Sequence, residues 1–307
     1  IEIAHAVCRV GRSAAGDAGH RQALLTPSGG PHGRPERRPS KAFGQRRARF
    51  AMPRIATPHA PCRKPWQAVP MSHYHRSLVL SRKFAMTEDP YVALREQMVQ
   101  VIAIYARYSR EKLGKDAFDP KIMEVMGTLP RHEFVPLEVR PYAYADGPLP
   151  IGYEKTISQP YMIALMTDLA EIEDGATVLE VGTGLGYHAA ILAAMGAKVF
   201  SVERIKTLQF QAKRRMNQLD LHNIAMKHGD GWKGWASKGP YDAIIVTAAA
   251  ASLPQDLCDQ LKEGGRLIIP VGNEQQSLLC IDRIEGELKT STIESVRFVP
   301  LVAGELM

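Results

Sequence analysis

Hydrophobic positions along this chain fall into successive patterns with different periods. Over residues 90–108, Leu94, Met98, Val101, Ile102 and Tyr105 recur at helical spacing and leave Arg95, Glu96 and Arg107 for solvent, which predicts a surface-packed helix. A shorter helix is expected over 120–127. It leads through Leu129-Pro130-Arg131-His132-Glu133-Phe134-Val135-Pro136 into an irregular, tyrosine-containing loop that runs to Pro150. A third helix starts at Tyr161 and sets Ile163, Met166 and Leu169 on one side.

Beyond that point short apolar runs alternate with helical periods. Strands are expected over 176–181, 198–203, 223–227, 241–247 and 266–271, with helices over 187–195, 205–219 and 254–262. Two further strands, 277–283 and 291–298, come next with hairpin-like spacing. The alternation implies an α/β fold: a doubly wound parallel sheet with an antiparallel C-terminal edge and a helical N-terminal cover. No internal repeat of fixed period is visible.

Residues 1–85 show neither period. They hold Pro27, Pro31, Pro35, Pro39, Pro53, Pro58, Pro61, Pro65 and Pro70, and such a segment buries too little apolar surface to offset its ordering entropy. A disordered basic leader is therefore expected there, ahead of one catalytic domain over 86–307. Charge divides at the same place. The leader has thirteen Arg and three Lys against Glu2, Asp17 and Glu36, a net of +13, whereas the remaining 23 basic and 29 acidic residues leave −6. The overall +7 belongs to the leader, so it does not point to a specific nucleic-acid partner. An organelle transit peptide, an RNA-binding arm, and sequence upstream of a native start at Met86, Met71 or Met52 all stay open for this segment.

No run approaches the 18 or so apolar residues a membrane span requires. Cys8, Cys62, Cys258 and Cys280 are scattered, without a C-x-x-C pair or clustered histidines, so neither a metal site nor a disulfide framework is expected. His73-Tyr74-His75 lies in the leader without a third ligand nearby. A cytoplasmic monomer is the expectation.

The candidate chemistry begins at Val178-Leu179-Glu180-Val181-Gly182-Thr183-Gly184-Leu185-Gly186-Tyr187. Glycines at a strand-to-helix turn allow a tight bend and close approach of a ligand. The spacing is G-x-G-x-G, and tyrosine stands where a dinucleotide fingerprint wants its third glycine. A turn without a ligand is the competing reading. Glu203 ends the next strand 21 residues after Gly182, where a carboxylate can accept from both ribose hydroxyls of an adenosine. Its alternative is a strand-end glutamate paired with Arg204 or Lys206. In Gly229-Asp230-Gly231, Asp230 is either an acceptor for the exocyclic amine of adenine or part of an ordinary turn.

Pro148-Leu149-Pro150-Ile151-Gly152 and Thr156-Ile157-Ser158-Gln159-Pro160-Tyr161 resemble the catalytic signature of protein-L-isoaspartate O-methyltransferases. The resemblance continues through Glu180 to Gly186, Ser201-Val202-Glu203-Arg204, Gly229-Asp230-Gly231-Trp232, the run from Pro240 to Thr247, and Val296-Arg297-Phe298-Val299-Pro300-Leu301. It covers nearly all of residues 90–307 in order. Two departures stand out: Glu154-Lys155 where bacterial members often carry Gly-Gln, and Ala250-Ala251 where a proline often follows Thr-Ala-Ala. They bear on substrate selectivity rather than on the reaction.

The resemblance implies a Rossmann-like methyltransferase sheet. It implies methyl transfer from S-adenosyl-L-methionine to the free α-carboxylate of L-isoaspartyl residues in damaged peptides and proteins. An α-carboxyl group, with a reference pKa of roughly 3.5, is already anionic at neutral pH and needs no general base. By this resemblance Ser158 orients the carboxylate, Thr156 and Ile157 belong to the substrate site, and Glu180, Gly182, Gly184, Gly186, Glu203, Asp230 and Gly231 hold the cofactor. Ser158 is also placed to cap the helix after it. Asp146 and His132 resemble family positions without an assigned chemistry, and Trp232 and Trp235 are read as packing. Three rivals differ in class. A methyltransferase for another acceptor should lack the Thr-Ile-Ser-Gln-Pro run, a dehydrogenase needs the longer glycine fingerprint, and a nucleic-acid binder working through the leader needs neither.

Overall fold

The computed structural model describes residues 89–306, and the leader expected over 1–85 lies outside them. Helix α1, Val92–Tyr108, buries Arg95, Met98, Ile102 and Ala106. This rotates the face read from the sequence, because Leu94 and Tyr105 are exposed while Arg95 is buried. The guanidinium is satisfied there. It donates to Asp89 Oδ2 (2.8 Å), Gly127 O (3.0 Å) and Tyr144 OH (3.1 Å), so its apolar stem packs without an orphaned charge.

After the one-turn α2, Arg110–Leu113, helix α3 spans Pro120–Thr128. Asp119 caps it by accepting from Lys121 N, and proline occupies the first turn. Two 3-10 turns, Arg131–Phe134 and Leu137–Tyr142, precede an antiparallel hairpin, β1 Leu149–Gly152 and β2 Lys155–Ile157. No pattern in the chain announces this hairpin. Its strands are too short for a period, and its tip, Tyr153-Glu154, lacks turn residues. Helix α4, Pro160–Leu169, then leads into the sheet.

The sheet is built from β3 (Thr177–Val181), β4 (Lys198–Glu203), β5 (Ile224–His228), β6 (Tyr241–Val246), β7 (Leu261–Gly272), β8 (Gln276–Ile284) and β9 (Glu287–Val296). Helices α5 (Tyr187–Ala194), α6 (Lys206–Gln218) and the single turn α7 (Gln255–Cys258) connect them. The strand order is β5-β4-β3-β6-β7-β8-β9, parallel as far as β7 and antiparallel beyond it. This is the expected doubly wound sheet with its antiparallel edge. Val178, Val199, Ala243 and Ile268 belong to one core, and Leu179, Val181, Phe200, Ile244 and Leu267 to the other. Burial on both faces explains why these strands read as continuous apolar runs.

The helix expected over 254–262 shrinks to α7, because β7 starts already at Leu261 and pairs with Tyr241 before a register shift. Gly265 permits that irregularity: a Cβ there would sit 2.9 Å from the carbonyl oxygens of Lys262 and Tyr241. The last strand, expected over 291–298, begins earlier, at Glu287. The chain leaves β3 for β4 and β5 on one side and returns to β6 on the other. The carboxyl ends of β3 and β6 thus form the switch point where ligands of such sheets bind.

Candidate functional site

A cleft opens at that switch point. Its wall includes Val181, Gly182 and Gly184 from the turn after β3, Glu203 and Arg204 after β4, Gly231, and Thr247 and Ala248 after β6. Val299 to Val302 close one side, and Ile151, Lys155 and Thr156 of the hairpin close another.

Glu203 organises the turn. Its Oε2 accepts from Gly184 N (2.8 Å) and its Oε1 from Ile205 N (2.9 Å), tying the glycine turn to the end of β4. Burial raises its pKa, and the backbone N–H groups of Gly184, Ile205 and Arg204, together with the Arg204 charge, oppose the rise. Among the described ion pairs none joins it to Arg204 or Lys206, and Arg204 Nε donates instead to Gly304 O. The carboxylate retains acceptor capacity beyond these N–H groups for a ligand hydroxyl.

Glu180 sits elsewhere. It is fully buried beneath the turn and does not line the cleft; its Oε2 accepts from Ser201 Oγ, which in turn bonds Thr183 Oγ1. Burial pushes its pKa up to about 8, with the neighbouring Glu203 charge adding to the rise, so Glu180 is protonated at neutral pH. It shapes the floor through Ser201 and Thr183.

The glycines divide in the same way. Gly184 has φ +54°, and a Cβ on it would meet Ile151 Cδ1 across the cleft at 3.1 Å, filling the gap between turn and hairpin. Gly186, by contrast, packs toward Met216 and Ala212, where a Cβ would lie 2.6 Å from Met216 Cε. Gly231 accommodates Val181 and Leu301. Asp230 accepts from Trp232 N (3.0 Å) as the cap of a short 3-10 turn, and Trp232 Nε1 reaches Leu301 O (3.2 Å), fastening the C-terminal wall. Trp235 packs against Phe200. Both tryptophans therefore sit in packing roles.

On the hairpin side, Thr156 is exposed to the cleft, whereas the Ile157 side chain is buried in the first core. Ser158 is half-buried and is not the cap of α4. The cap residue is Gln159, which makes no side-chain cap bond, and the capping carboxylate is Asp146. Asp146 accepts from Tyr161 N (2.9 Å) and from Gln159 Nε2 (2.7 Å). This gives Asp146 a role that its sequence position does not disclose. His132 is bonded through Nδ1 to Tyr144 OH (2.8 Å) and stacked on Tyr91, so it serves the network around Arg95.

Arg131 escapes sequence reasoning. It is completely buried, with Nε donating to Ala143 O (2.8 Å) and Nη2 to Ser158 O (2.7 Å), and its guanidinium lies 4.9 Å from the Tyr187 ring centre. Burial lowers its pKa to about 10, still charged at neutral pH. An arginine beside Pro130 and His132 reads as a surface residue, and nothing in its spacing signals otherwise.

The set fits S-adenosylmethionine: a glycine whose Cβ would obstruct the cleft, and a buried carboxylate with acceptor directions to spare for a ribose. Comparison with known proteins agrees. The family model described as protein-L-isoaspartate(D-aspartate) O-methyltransferase matches residues 110–306. A protein-L-isoaspartate O-methyltransferase of Alteromonas mediterranea is 76% identical over 188 residues, 61% of this chain and 89% of that protein. Another from Syntrophobacter fumaroxidans is 50% identical over 220 residues, 71% of this chain and 89% of its own length. Among solved structures, a protein-L-isoaspartate O-methyltransferase is 29% identical with a TM-score of 0.58, covering 67% of this chain; this chain spans just under two thirds of it, 65%. A beta-aspartate methyltransferase of Plasmodium falciparum in complex with S-adenosyl-L-homocysteine is 26% identical with a TM-score of 0.58, covering 70% of this chain and 99% of that one. The turn, the cleft and these matches converge, and the chain belongs to the protein-L-isoaspartate(D-aspartate) O-methyltransferase family.

Proposed function

We propose that this chain transfers a methyl group from S-adenosylmethionine to the free α-carboxylate of L-isoaspartyl residues in damaged proteins, as a repair enzyme. The observation that carries the reading is one cleft with two unlike walls: the glycine turn with Glu203 faces the hairpin strand that runs into Ser158. The cofactor, when bound, supplies an electrophilic methyl on a sulfonium. The chain's own task is positional. Glu203 and the backbone of Gly182, Gly184 and Gly231 take the nucleoside, with Glu180, Gly186 and Asp230 supporting that wall from behind. Thr156 and the backbone at Ile157 guide the peptide, and the Ser158 hydroxyl orients the acceptor carboxylate. Attack of an anion on a cation removes charge, so alignment in a site with little water provides most of the acceleration. No side chain has to remove a proton.

The test is to incubate the full chain with labelled S-adenosylmethionine and paired aspartyl and isoaspartyl peptides. Base-labile methyl ester should form only on the isoaspartyl member. Equal labelling of both, or of neither, overturns the reading. We further propose a cytoplasmic monomer with no specific nucleic-acid or membrane partner. The net charge of −6 beyond residue 85 and the buried free thiols of Cys258 and Cys280 support this, as does the absence of a membrane-length apolar helix among the described residues.

A further inference from the structure

Three consecutive residues at the hairpin tip have positive φ: Gly152 (92°), Tyr153 (54°) and Glu154 (56°). Glycine enters that region freely, but tyrosine and glutamate are strained there, at the two positions where such a turn favours Asn-Gly. Backbone strain of this kind persists where the surrounding structure uses it to place something. Immediately after the tip stands Lys155, paired with Gly152 in the hairpin register and lining the cleft beside Thr156.

Among the described residues, the charged ones on the cleft wall are Lys155, Glu203 and Arg204. Glu203 is engaged by the N–H groups of Gly184 and Ile205, and Arg204 by the carbonyl of Gly304. The lysine ion pairs among the described residues are those of Lys115, Lys121 and Lys262, so none of them occupies Lys155. Lys155 lines the cleft from the hairpin beside Thr156, and no described ion pair or side-chain hydrogen bond engages its ammonium.

We propose that Lys155 is a specificity-determining residue that binds an acidic side chain of the acceptor peptide next to the isoaspartyl residue. The inference rests on the methyl-transfer reading of the same cleft. The reacting carboxylate itself is the poorer partner for a lysine. It loses its charge as the methyl arrives, so pairing with Lys155 would stabilise the reactants more than the transition state and slow the reaction. A neighbouring Asp or Glu keeps its charge throughout. Pairing there strengthens binding without opposing the chemistry. Glu154, exposed one residue earlier, opposes an acidic peptide once the lysine is gone.

The experiment uses the full chain and three isoaspartyl peptides that differ only in the adjacent residue: Glu, Gln or Lys. KM and kcat are measured for each, together with peptide affinity for the protein saturated with S-adenosylhomocysteine. KM should rise from the Glu to the Lys peptide by about tenfold at low salt, with kcat changing little, and the spread should collapse at about 0.5 M salt. Lys155→Gln should abolish that order or reverse it, and Lys155→Arg should keep it. An unordered set in the parent, or the same order in Lys155→Gln, overturns the inference. If the Gln peptide is bound but not methylated, the methyl-transfer reading fails, while the three affinities still decide whether Lys155 selects acidic neighbours.

Discussion

Replacing Glu180 with glutamine should change how stability depends on pH, and the size of the change is set by where the carboxyl sits. Glu180 is wholly buried, and its pKa is pushed from 4.5 up to about 8, chiefly by desolvation. An acid whose folded pKa is raised stabilises the fold while it is protonated. That contribution is complete below 4.5 and is lost as pH rises toward about 8. At 1.36 kcal/mol per pKa unit, and allowing for partial ionisation at both ends, the loss between about pH 5 and pH 8 is about 3 kcal/mol. Glutamine does not titrate, so the variant lacks this slope.

The absolute stability of Glu180→Gln carries an offset of about 1–3 kcal/mol, because an amide NH2 replaces a buried oxygen that has no hydrogen-bond partner. The quantity to read is therefore the variant-minus-parent difference, compared between the two pH values by urea unfolding monitored with circular dichroism. Other titrations cancel in it. His188, for example, is buried, and its pKa is lowered to about 3; it destabilises both proteins equally as pH falls below 6.5. The variant should gain on the parent by about 3 kcal/mol on going from pH 5 to pH 8. An unchanged difference would mean that Glu180 is ionised in the folded protein, and the account of the floor would fail.

The site yields three further expected outcomes. Ser158→Ala should lower turnover on an isoaspartyl peptide while leaving affinity for S-adenosylhomocysteine nearly intact; full turnover, or a covalent intermediate at Ser158, would refute the orienting role. Glu203→Ala should weaken S-adenosylhomocysteine binding by about 1.5–3 kcal/mol in calorimetry, through loss of charge-assisted bonds. Arg131→Lys keeps the charge but loses the fork that spans the Ala143 and Ser158 carbonyls. It should cost about 2 kcal/mol in thermal unfolding and lower turnover more than cofactor affinity.

How legible the protein is from its sequence depends on the range of the interaction involved. Strands β3, β4 and β6 are readable within a residue or so because burial on both faces makes them unbroken apolar runs, and the glycine turn is readable because backbone conformation restricts residue choice. The face of α1 is misread because Arg95 looks polar in isolation, and only Asp89, Gly127 and Tyr144 make its burial tolerable. Arg131 and Asp146 are opaque for the same reason: their partners, Ser158 and Tyr161, lie 27 and 15 residues away in sequence. The β1–β2 hairpin is invisible because its turn uses Tyr153 and Glu154 against local preference. Glu180 and Gly186 are found by motif, yet the motif does not say that they support the cleft wall from behind.

Those hidden contacts are what a reaction without a general base requires. The acceptor carboxylate is ionised across the physiological range, so its reactivity depends on where it is held rather than on proton removal. The protein accordingly places its buried polar groups behind the two walls. Arg131 holds the Ser158 carbonyl and Asp146 the backbone at Tyr161 just after it, and Glu203, Ser201 and Thr183 fix the glycine turn. Arg131 is a wholly buried cation on the acceptor side, and its Nε and Nη2 are committed to carbonyl oxygens rather than offered to the substrate. A bare cation at that point would bind the reacting anion most tightly before methyl transfer, when tight binding is least useful. Using the guanidinium to hold the main chain gives the site rigidity without that penalty, and under the proposed role of Ser158 it leaves a neutral hydroxyl there for the carboxylate.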